Sequence, residues 1–207
     1  MKILAIVCEG DSEEAYINRL RKYIEETTAP NVPLRIVPKN AHSGHFVVIR
    51  KKIKEVRKDN QRVRVEVMTD YDLYLRNDEA NWEKYAARET SIPAFCFNFQ
   101  NFEDFMVFHY PDEIVNEWMK VFNPTGHFSH PLHGEEYLEI FRTISVFSNY
   151  KKGSLPANFV NAQSLANLSR HIETAPLDYS AFVSDDVRSF AAFLLGELKR
   201  VAIPVGE

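Results

Sequence analysis

The chain has 207 residues, of which 45% are hydrophobic and 26% charged, and its 25 Lys+Arg against 29 Asp+Glu give a formal net charge of −4. This composition excludes a disordered chain, which would be poorer in apolar residues, and argues against a protein that coats nucleic acid through bulk positive charge. The chain has only two cysteines and no long apolar run. We therefore expect a cytoplasmic protein without a disulfide, a secretory leader or a membrane-spanning helix.

The first half of the chain alternates predicted strands with predicted helices. An apolar run predicts a strand at 2–7, and Asp11 or Ser12 is expected to cap the helix that follows. The same patterns then predict a strand at 34–37, a helix spanning 46–56, a strand at 63–69, a helix from 77 or 78 to about 88, and a strand at 92–97. This order predicts an α/β protein with a Rossmann-like, mostly parallel four-stranded sheet flanked by helices.

The second half of the chain is predicted to be helical. Apolar residues recur at helical spacing at 101–121 (with a break near Pro111), 135–147, 159–172 and 184–202. We therefore expect an α/β core at 1–100 and a helical extension at 101–207 that packs on it.

Acidic residues follow two of the predicted strands. Glu9 and Glu13 flank the first strand-to-helix turn, and Asp70 and Asp72 come directly after the third strand. In an open parallel sheet, ligands bind outside the carboxyl ends of the strands. If the first and third strands are neighbours, these four carboxylates meet and need cations, and carboxylate oxygens favour Mg²⁺ or Mn²⁺. Each motif alone also has an ordinary explanation in turn and helix-cap chemistry.

These acidic motifs resemble the Toprim fold, in which Glu-Gly-x-x-Glu follows one strand and Asp-x-Asp follows a later one. A second segment, Phe99 to Tyr110, resembles the Phe-Glu segment of RloB-like proteins, although Asp104 stands where that family usually has Leu. Asn149 to Gly153 resembles the family's downstream Tyr-Lys-Lys element. RloB-like proteins are small Toprim proteins, related to nucleases of the overcoming-lysogenization-defect type, that are associated with restriction and phage-defence loci.

The resemblance implies a role for particular residues. It implies five metal-binding acids, which are Glu9, Glu13, Asp70, Asp72 and Glu103. The expected cofactor is two divalent ions about 3.5–4 Å apart. Glu9, Asp70, Asp72 and Lys152 would be catalytic, with Glu9 as a proton carrier and Lys152 opposing negative charge at phosphorus. Lys151 is the near-equal alternative for this role, and an ordinary solvated loop lysine is the other interpretation. The helical extension would thus contribute Glu103 and Lys152 to the site.

A basic helix and several histidines remain open to two interpretations. The helix predicted at 46–56 and the residues directly after it carry several cations, which form either a solvated face or a track for a nucleic-acid backbone. The candidate nucleic-acid-binding residues are Arg50, Lys51, Lys54, Arg57 and Lys58. His109 lies on an apolar helical stripe, where a structural role is more common than a ligand role. His127, His130 and His133 have the spacing of a zinc site, but they lie among prolines and glycines, which argues against one.

The function expected from these patterns is metal-dependent hydrolysis of DNA or RNA phosphodiesters by a Toprim nuclease. A phage-defence setting with a partner ATPase encoded nearby is implied by the resemblance. The alternatives are a non-catalytic or conditionally activated effector module that binds such an ATPase, and another metal-assisted phosphotransfer. The chain has no P-loop motif of its own.

Overall fold

The computed structural model describes residues 1–70, 95–98, 101–122, 134–156, 158–174 and 188–205. Within these residues five strands form one sheet in the order β2-β1-β3-β4-β5, and all neighbouring pairs are parallel. The strands are β1 (Lys2–Cys8), β2 (Leu34–Asn40), β3 (Arg64–Thr69), β4 (Phe95–Phe97) and β5 (Arg188–Ser189). The predicted α/β fold with a parallel, Rossmann-like sheet flanked by helices is confirmed.

Seven α-helices lie within the same described residues. They are α1 (Asp11–Thr28), α2 (Phe46–Asp59), α3 (Phe102–Val107), α4 (Asp112–Phe122), α5 (Gly134–Phe141), α6 (Ala162–Thr174) and α7 (Phe190–Arg200), with a 3₁₀ turn at Ser145–Phe147. The expected break near Pro111 separates α3 from α4. The helix expected at about 78–88 lies outside the described residues. Across this part of the chain, no helix combines the length and apolar character needed to cross a membrane.

The fifth strand differs from the sequence prediction, which placed residues 184–202 in one helix. Arg188 and Ser189 pair with β4, and α7 begins only at Phe190. The Ser189 hydroxyl accepts a hydrogen bond from the Ala192 backbone N–H, so a serine cap sets the start of this helix. The sheet therefore has one short strand more than the four predicted.

The two faces of the sheet are covered by different helices. Leu4 and Ile6 of β1 point to one face, where α1 and the apolar residues of the C-terminal half form a single cluster. Ala5 and Val7 point to the other face and pack with Ile49, Ile53 and Val56 of α2. Because β1 buries both faces, its sequence is a continuous apolar run rather than an alternating one.

The strand order creates one reversal point in the sheet. The chain runs from β1 outward to β2 and then returns to β3 on the other side of β1. α1 and α2 accordingly lie on opposite faces of the sheet, since consecutive parallel strands are joined by crossovers of one hand. The helices diverge at the carboxyl ends of β1 and β3, and this opens a crevice there.

Candidate metal centre

Three acidic side chains meet in the crevice between β1 and β3. Glu9 follows β1, Asp70 follows β3, and Glu13 lies in the first turn of α1. One carboxylate oxygen from each lies within 4.8 Å of the others. Two oxygens on opposite sides of one ion are about 4.2 Å apart around Mg²⁺ and about 5 Å apart around Ca²⁺. This acidic triad of Glu9, Glu13 and Asp70 could therefore hold a metal ion.

Two hydrogen bonds orient the carboxylate of Glu9. The Thr69 hydroxyl donates to Glu9 Oε2 over 2.6 Å, and the Asp70 backbone N–H donates to the same oxygen over 3.1 Å. Both donors come from the end of β3, which pairs directly with β1. The strand beside Glu9 therefore holds its carboxylate in one direction, as outer-sphere donors do for metal-binding acids.

Asn98 performs the same task for Asp70. It follows β4, its side chain is buried, and its Nδ2 donates to Asp70 Oδ1 over 3.0 Å. The Asn98 backbone N–H donates to the Thr69 carbonyl over 2.8 Å, which fixes its place beside β3. Neither Thr69 nor Asn98 belongs to the predicted set. The signal for Asn98 is its position, because a polar residue directly after a strand lies at the same edge as Asp70.

Gly10 caps α1, in place of the predicted Asp11 or Ser12. A Cβ atom at position 10 would lie 3.1 Å from Glu13 Oε2, which is closer than ordinary contact. The hydroxyl of Ser12 instead accepts a hydrogen bond from the Gly153 backbone N–H over 2.9 Å. A glycine at the cap therefore leaves room for the carboxylate of Glu13, and Ser12 is engaged with a distant turn.

Glu13 has a strongly raised pKa. Its side chain is buried, and this burial together with the negative charge of Glu9 raises its pKa to about 8. The nearby Lys152 acts in the opposite direction and lowers this pKa. Glu13 therefore holds a proton at neutral pH in the metal-free protein, and a cation that binds there has to displace it.

Glu103 and Lys152 line the same open pocket as the triad, and this pocket has a volume of about 180 Å³. Glu103 lies buried in the first turn of α3, where burial raises its pKa and the charge of Lys152 lowers it. Of the two lysines that the sequence leaves as alternatives, Lys152 lines the pocket and Lys151 does not. The structure thus brings together Glu9, Glu13, Asp70, Glu103 and Lys152. Asp72 lies outside the described residues.

Asp104, beside Glu103, is anchored by three buried donors. Its Oδ1 accepts from Trp118 Nε1 and from the Tyr137 hydroxyl, each over 2.9 Å, and its Oδ2 accepts from the Asn101 backbone N–H over 3.0 Å. Burial raises the pKa of Asp104 to about 7, and the three donors lower it. These bonds join α3 to α4 and α5. The buried acid at position 104 therefore fixes the helix that carries Glu103.

His109 contacts protein groups on both ring nitrogens. Nδ1 lies 2.9 Å from the Phe105 carbonyl oxygen, and Nε2 lies 3.0 Å from the Tyr16 hydroxyl. Because a carbonyl only accepts, Nδ1 carries the proton and Nε2 accepts from Tyr16. Burial lowers the pKa of His109 to about 4, so the ring is neutral at pH 7. The geometry supports the structural interpretation. His127, His130 and His133 lie outside the described residues.

The basic helix α2 extends away from the triad. It follows β2 and precedes β3, so it begins at the carboxyl edge of the sheet and ends at the opposite edge. Its 14 residues span about 20 Å. The side chains of Lys51, Lys54 and Lys58 are exposed, whereas those of Arg50 and Arg57 are half-buried. Only the first turns of α2 therefore lie at the edge of the sheet that carries the triad.

Comparisons of this chain with family models, with curated proteins and with solved structures find no match.

Proposed function

We propose that this chain is a divalent-cation-dependent nuclease of the RloB-like Toprim type, which hydrolyses phosphodiester bonds of DNA or RNA. The observation that carries the proposal is the acidic triad, whose ligand oxygens lie within 4.8 Å of one another in the crevice between β1 and β3. Open parallel sheets bind their ligands in this kind of crevice. The resemblance of the Glu9 to Glu13 and Asp70 to Asp72 motifs to Toprim enzymes supports the same conclusion.

The donor set favours Mg²⁺ or Mn²⁺, because carboxylate oxygens bind hard divalent cations. Glu9, Glu13 and Asp70 would hold one ion. A second ion would take Glu103 and Asp72 as further ligands, as in the two-ion sites of other nucleases. A bound divalent cation supplies Lewis-acid stabilisation of phosphate oxygens and an activated water nucleophile.

The chain's own residues would orient the substrate and balance charge. Glu9 is a candidate proton acceptor, since Thr69 and the Asp70 N–H fix the direction of its carboxylate. Lys152 would place a positive charge beside the scissile phosphate, where negative charge grows during hydrolysis. In the absence of substrate, the charge of this lysine lowers the pKa of both Glu13 and Glu103.

The wider setting is proposed from the resemblance. It supports a role in phage defence or restriction and activation by a partner ATPase encoded nearby. A nucleic-acid strand that enters the pocket would pass the first turns of α2, where Arg50, Lys51 and Lys54 would contact its phosphates, and Arg57 and Lys58 would extend the contact toward the far edge of the sheet.

A substrate panel tests the proposal. Purified protein is incubated with plasmid, single-stranded DNA and tRNA in the presence of Mg²⁺ or Mn²⁺. We expect cleavage of at least one substrate, and Glu9→Gln and Asp70→Asn should each lower it by about 100-fold or more. Glu14→Gln is the matched control, because Glu14 binds Asn40 and does not line the pocket.

Two outcomes would contradict the proposal. Cleavage that survives both Glu9→Gln and Asp70→Asn would show that the activity does not come from this pocket. A protein that cleaves no substrate with either metal, alone or with a partner ATPase, would favour the effector module instead. Co-purification with that ATPase and no cation binding by calorimetry would support the latter interpretation.

A further inference from the structure

The helical half of the chain reaches the pocket through Tyr150. The Tyr150 hydroxyl donates to Glu103 Oε1 over 3.2 Å and lies 3.3 Å from Ser12 Oγ. These three side chains are buried. One phenol therefore contacts both α3, which carries Glu103, and the first turn of α1, which carries Glu13.

The donor and the acceptor of each hydrogen bond around Tyr150 can be assigned from the groups involved. The Gly153 N–H can only donate, so Ser12 Oγ accepts from it over 2.9 Å. Tyr150 donates its proton to the Glu103 carboxylate, and its oxygen is left to accept the proton of Ser12. The series of hydrogen bonds therefore runs from the Gly153 N–H through Ser12 and Tyr150 to Glu103.

Gly153, where this series of hydrogen bonds begins, lies in the turn that also contains Lys152. Lys151 and Ser154 form an antiparallel bridge across the turn, and the Ser154 N–H donates to the Lys151 carbonyl over 3.0 Å. Gly153 has a φ of +77°, a conformation that residues with a side chain rarely adopt. The Gly153 N–H thus links the turn that carries Lys152 to the hydrogen bonds that reach Glu103.

Tyr150 itself is held by the helical half. Its ring packs edge-on against Phe141 with a centroid distance of 5.1 Å. Its backbone N–H donates to the Phe147 carbonyl over 2.8 Å, and its carbonyl accepts from Arg142 Nε over 3.1 Å. Because ring and backbone are both fixed, the hydroxyl is a rigid point against which Glu103 is oriented.

We propose that Tyr150 is a positioning residue for the metal centre, which orients the Glu103 carboxylate and, through Ser12, ties the Lys152 turn to it. This inference rests on the proposed function only in taking Glu103 as a cation ligand. It gives Tyr150 and Ser12 a role at the metal centre, which the sequence motifs do not assign to either residue. Removal of such an outer-sphere donor from a metal-binding residue typically costs 10–100-fold in metal affinity or activity.

The experiment measures Mn²⁺ affinity by calorimetry and does not depend on turnover. Tyr150→Phe keeps the ring and removes only the hydroxyl, and we expect its Mn²⁺ dissociation constant to rise by about tenfold or more. Tyr23→Phe is the matched control, because it removes a hydroxyl that donates to the Pro204 carbonyl over 2.8 Å, away from the pocket. This control should bind Mn²⁺ like the wild type.

A double-mutant cycle separates positioning from general destabilisation. If Tyr150 acts through Glu103, Tyr150→Phe should weaken Mn²⁺ binding in the wild type and add little in a Glu103→Gln background. Likewise, cleavage by the double variant Ser12→Ala and Tyr150→Phe should be little lower than cleavage by Tyr150→Phe alone, because both changes interrupt the same series of hydrogen bonds. Thermal unfolding of every variant checks that each one is folded at the temperature of the titration.

The outcomes distinguish this inference from the nuclease proposal. If Tyr150→Phe binds Mn²⁺ as tightly as the wild type, the role of Tyr150 is overturned. The same holds if Tyr150→Phe lowers Mn²⁺ affinity equally in the wild-type and Glu103→Gln backgrounds. Either result leaves the nuclease proposal standing. A wild-type protein that binds Mn²⁺ with the expected cycle but cleaves no substrate, alone or with a partner ATPase, refutes the nuclease proposal and supports the role of Tyr150. A wild-type protein that binds no Mn²⁺ overturns both.

Discussion

Replacing Glu13 with Gln is expected to stabilise the metal-free protein while it weakens cation binding. Glu13 is 3% exposed, and a carboxylate oxygen of Glu9 lies within 4.8 Å of one of its own oxygens. Two unit charges at that distance repel by about 3.5 kcal/mol at an effective dielectric near 20. Gln has nearly the same shape and stays neutral at every pH, whereas Glu13 has to keep a proton to avoid this repulsion and the burial of an ionised group.

The sign of the pH dependence follows from proton uptake on folding. Burial and the charge of Glu9 raise the pKa of Glu13 from 4.5 to about 8, so between these pH values the folded protein holds a proton that the unfolded chain releases. Wild-type stability therefore falls as pH rises through this window, by about 3 kcal/mol at pH 7. The advantage of Glu13→Gln should grow from near zero at about pH 4.5 to about 4 kcal/mol near pH 8.

Urea unfolding in EDTA at about pH 5, 7 and 8 measures the stability difference, and Mn²⁺ calorimetry measures the loss of binding. Glu14→Gln removes the same charge one residue further on, but Glu14 contacts Asn40 and lies outside the pocket. If Glu13→Gln gains no more stability than Glu14→Gln at the highest pH, the repulsion inferred within the triad is wrong. Unchanged Mn²⁺ affinity in Glu13→Gln would refute its place among the ligands.

Three further changes probe the groups around the triad. Gly10→Ala should weaken Mn²⁺ binding in calorimetry with little loss of stability, because the new Cβ would lie 3.1 Å from the movable Oε2 of Glu13; normal affinity would contradict the need for glycine. Asp104→Ala should lower the free energy of unfolding in urea by about 3–5 kcal/mol, since it removes the carboxylate that accepts three buried hydrogen bonds, and a loss below 1 kcal/mol would argue against these bonds. Because burial lowers the pKa of His109 from 6.5 to about 4, it should account for up to about 3 kcal/mol of stability lost between those pH values, and His109→Gln should flatten that part of the pH profile. If the free energy of unfolding of the variant falls just as steeply with decreasing pH, other groups cause the loss of stability in acid.

The main elements of the fold follow from local patterns in the sequence. The apolar run before Glu9 becomes the strand that buries both faces, and the helical spacing of Tyr16, Leu20 and Ile24 becomes the buried face of α1. These patterns are readable because side chains alternate with a period of 2 in a strand and 3.6 in a helix. The two-residue strand β5 is too short to carry such a pattern, and only its pairing with β4 defines it.

The candidate site is predictable from the sequence only in part. Glu9 and Asp70 could be named because acids directly after strands stand out, and Glu13 because it flanks the same strand-to-helix turn as Glu9. Glu103 and Lys152 could be named through the resemblance alone. The position of Asn98 after a strand is a weaker signal and Thr69 has none, since a single threonine or asparagine near a strand end is common. Their importance comes from the oxygens that they contact on Glu9 and Asp70.

The sequence by itself indicates that Glu9 follows β1 and Asp70 follows β3, because the apolar pattern of each strand stops directly before these acids. It places the end of β2 three residues too early and misses β5. It does not determine which strand ends are neighbours. That is decided by the order β2-β1-β3-β4-β5, which places Thr69 and Asp70 beside Glu9, 60 and 61 residues away along the chain. The contact of Ser12 with Tyr150 spans 138 residues. Such contacts depend on how the whole apolar core packs, and no local pattern encodes them.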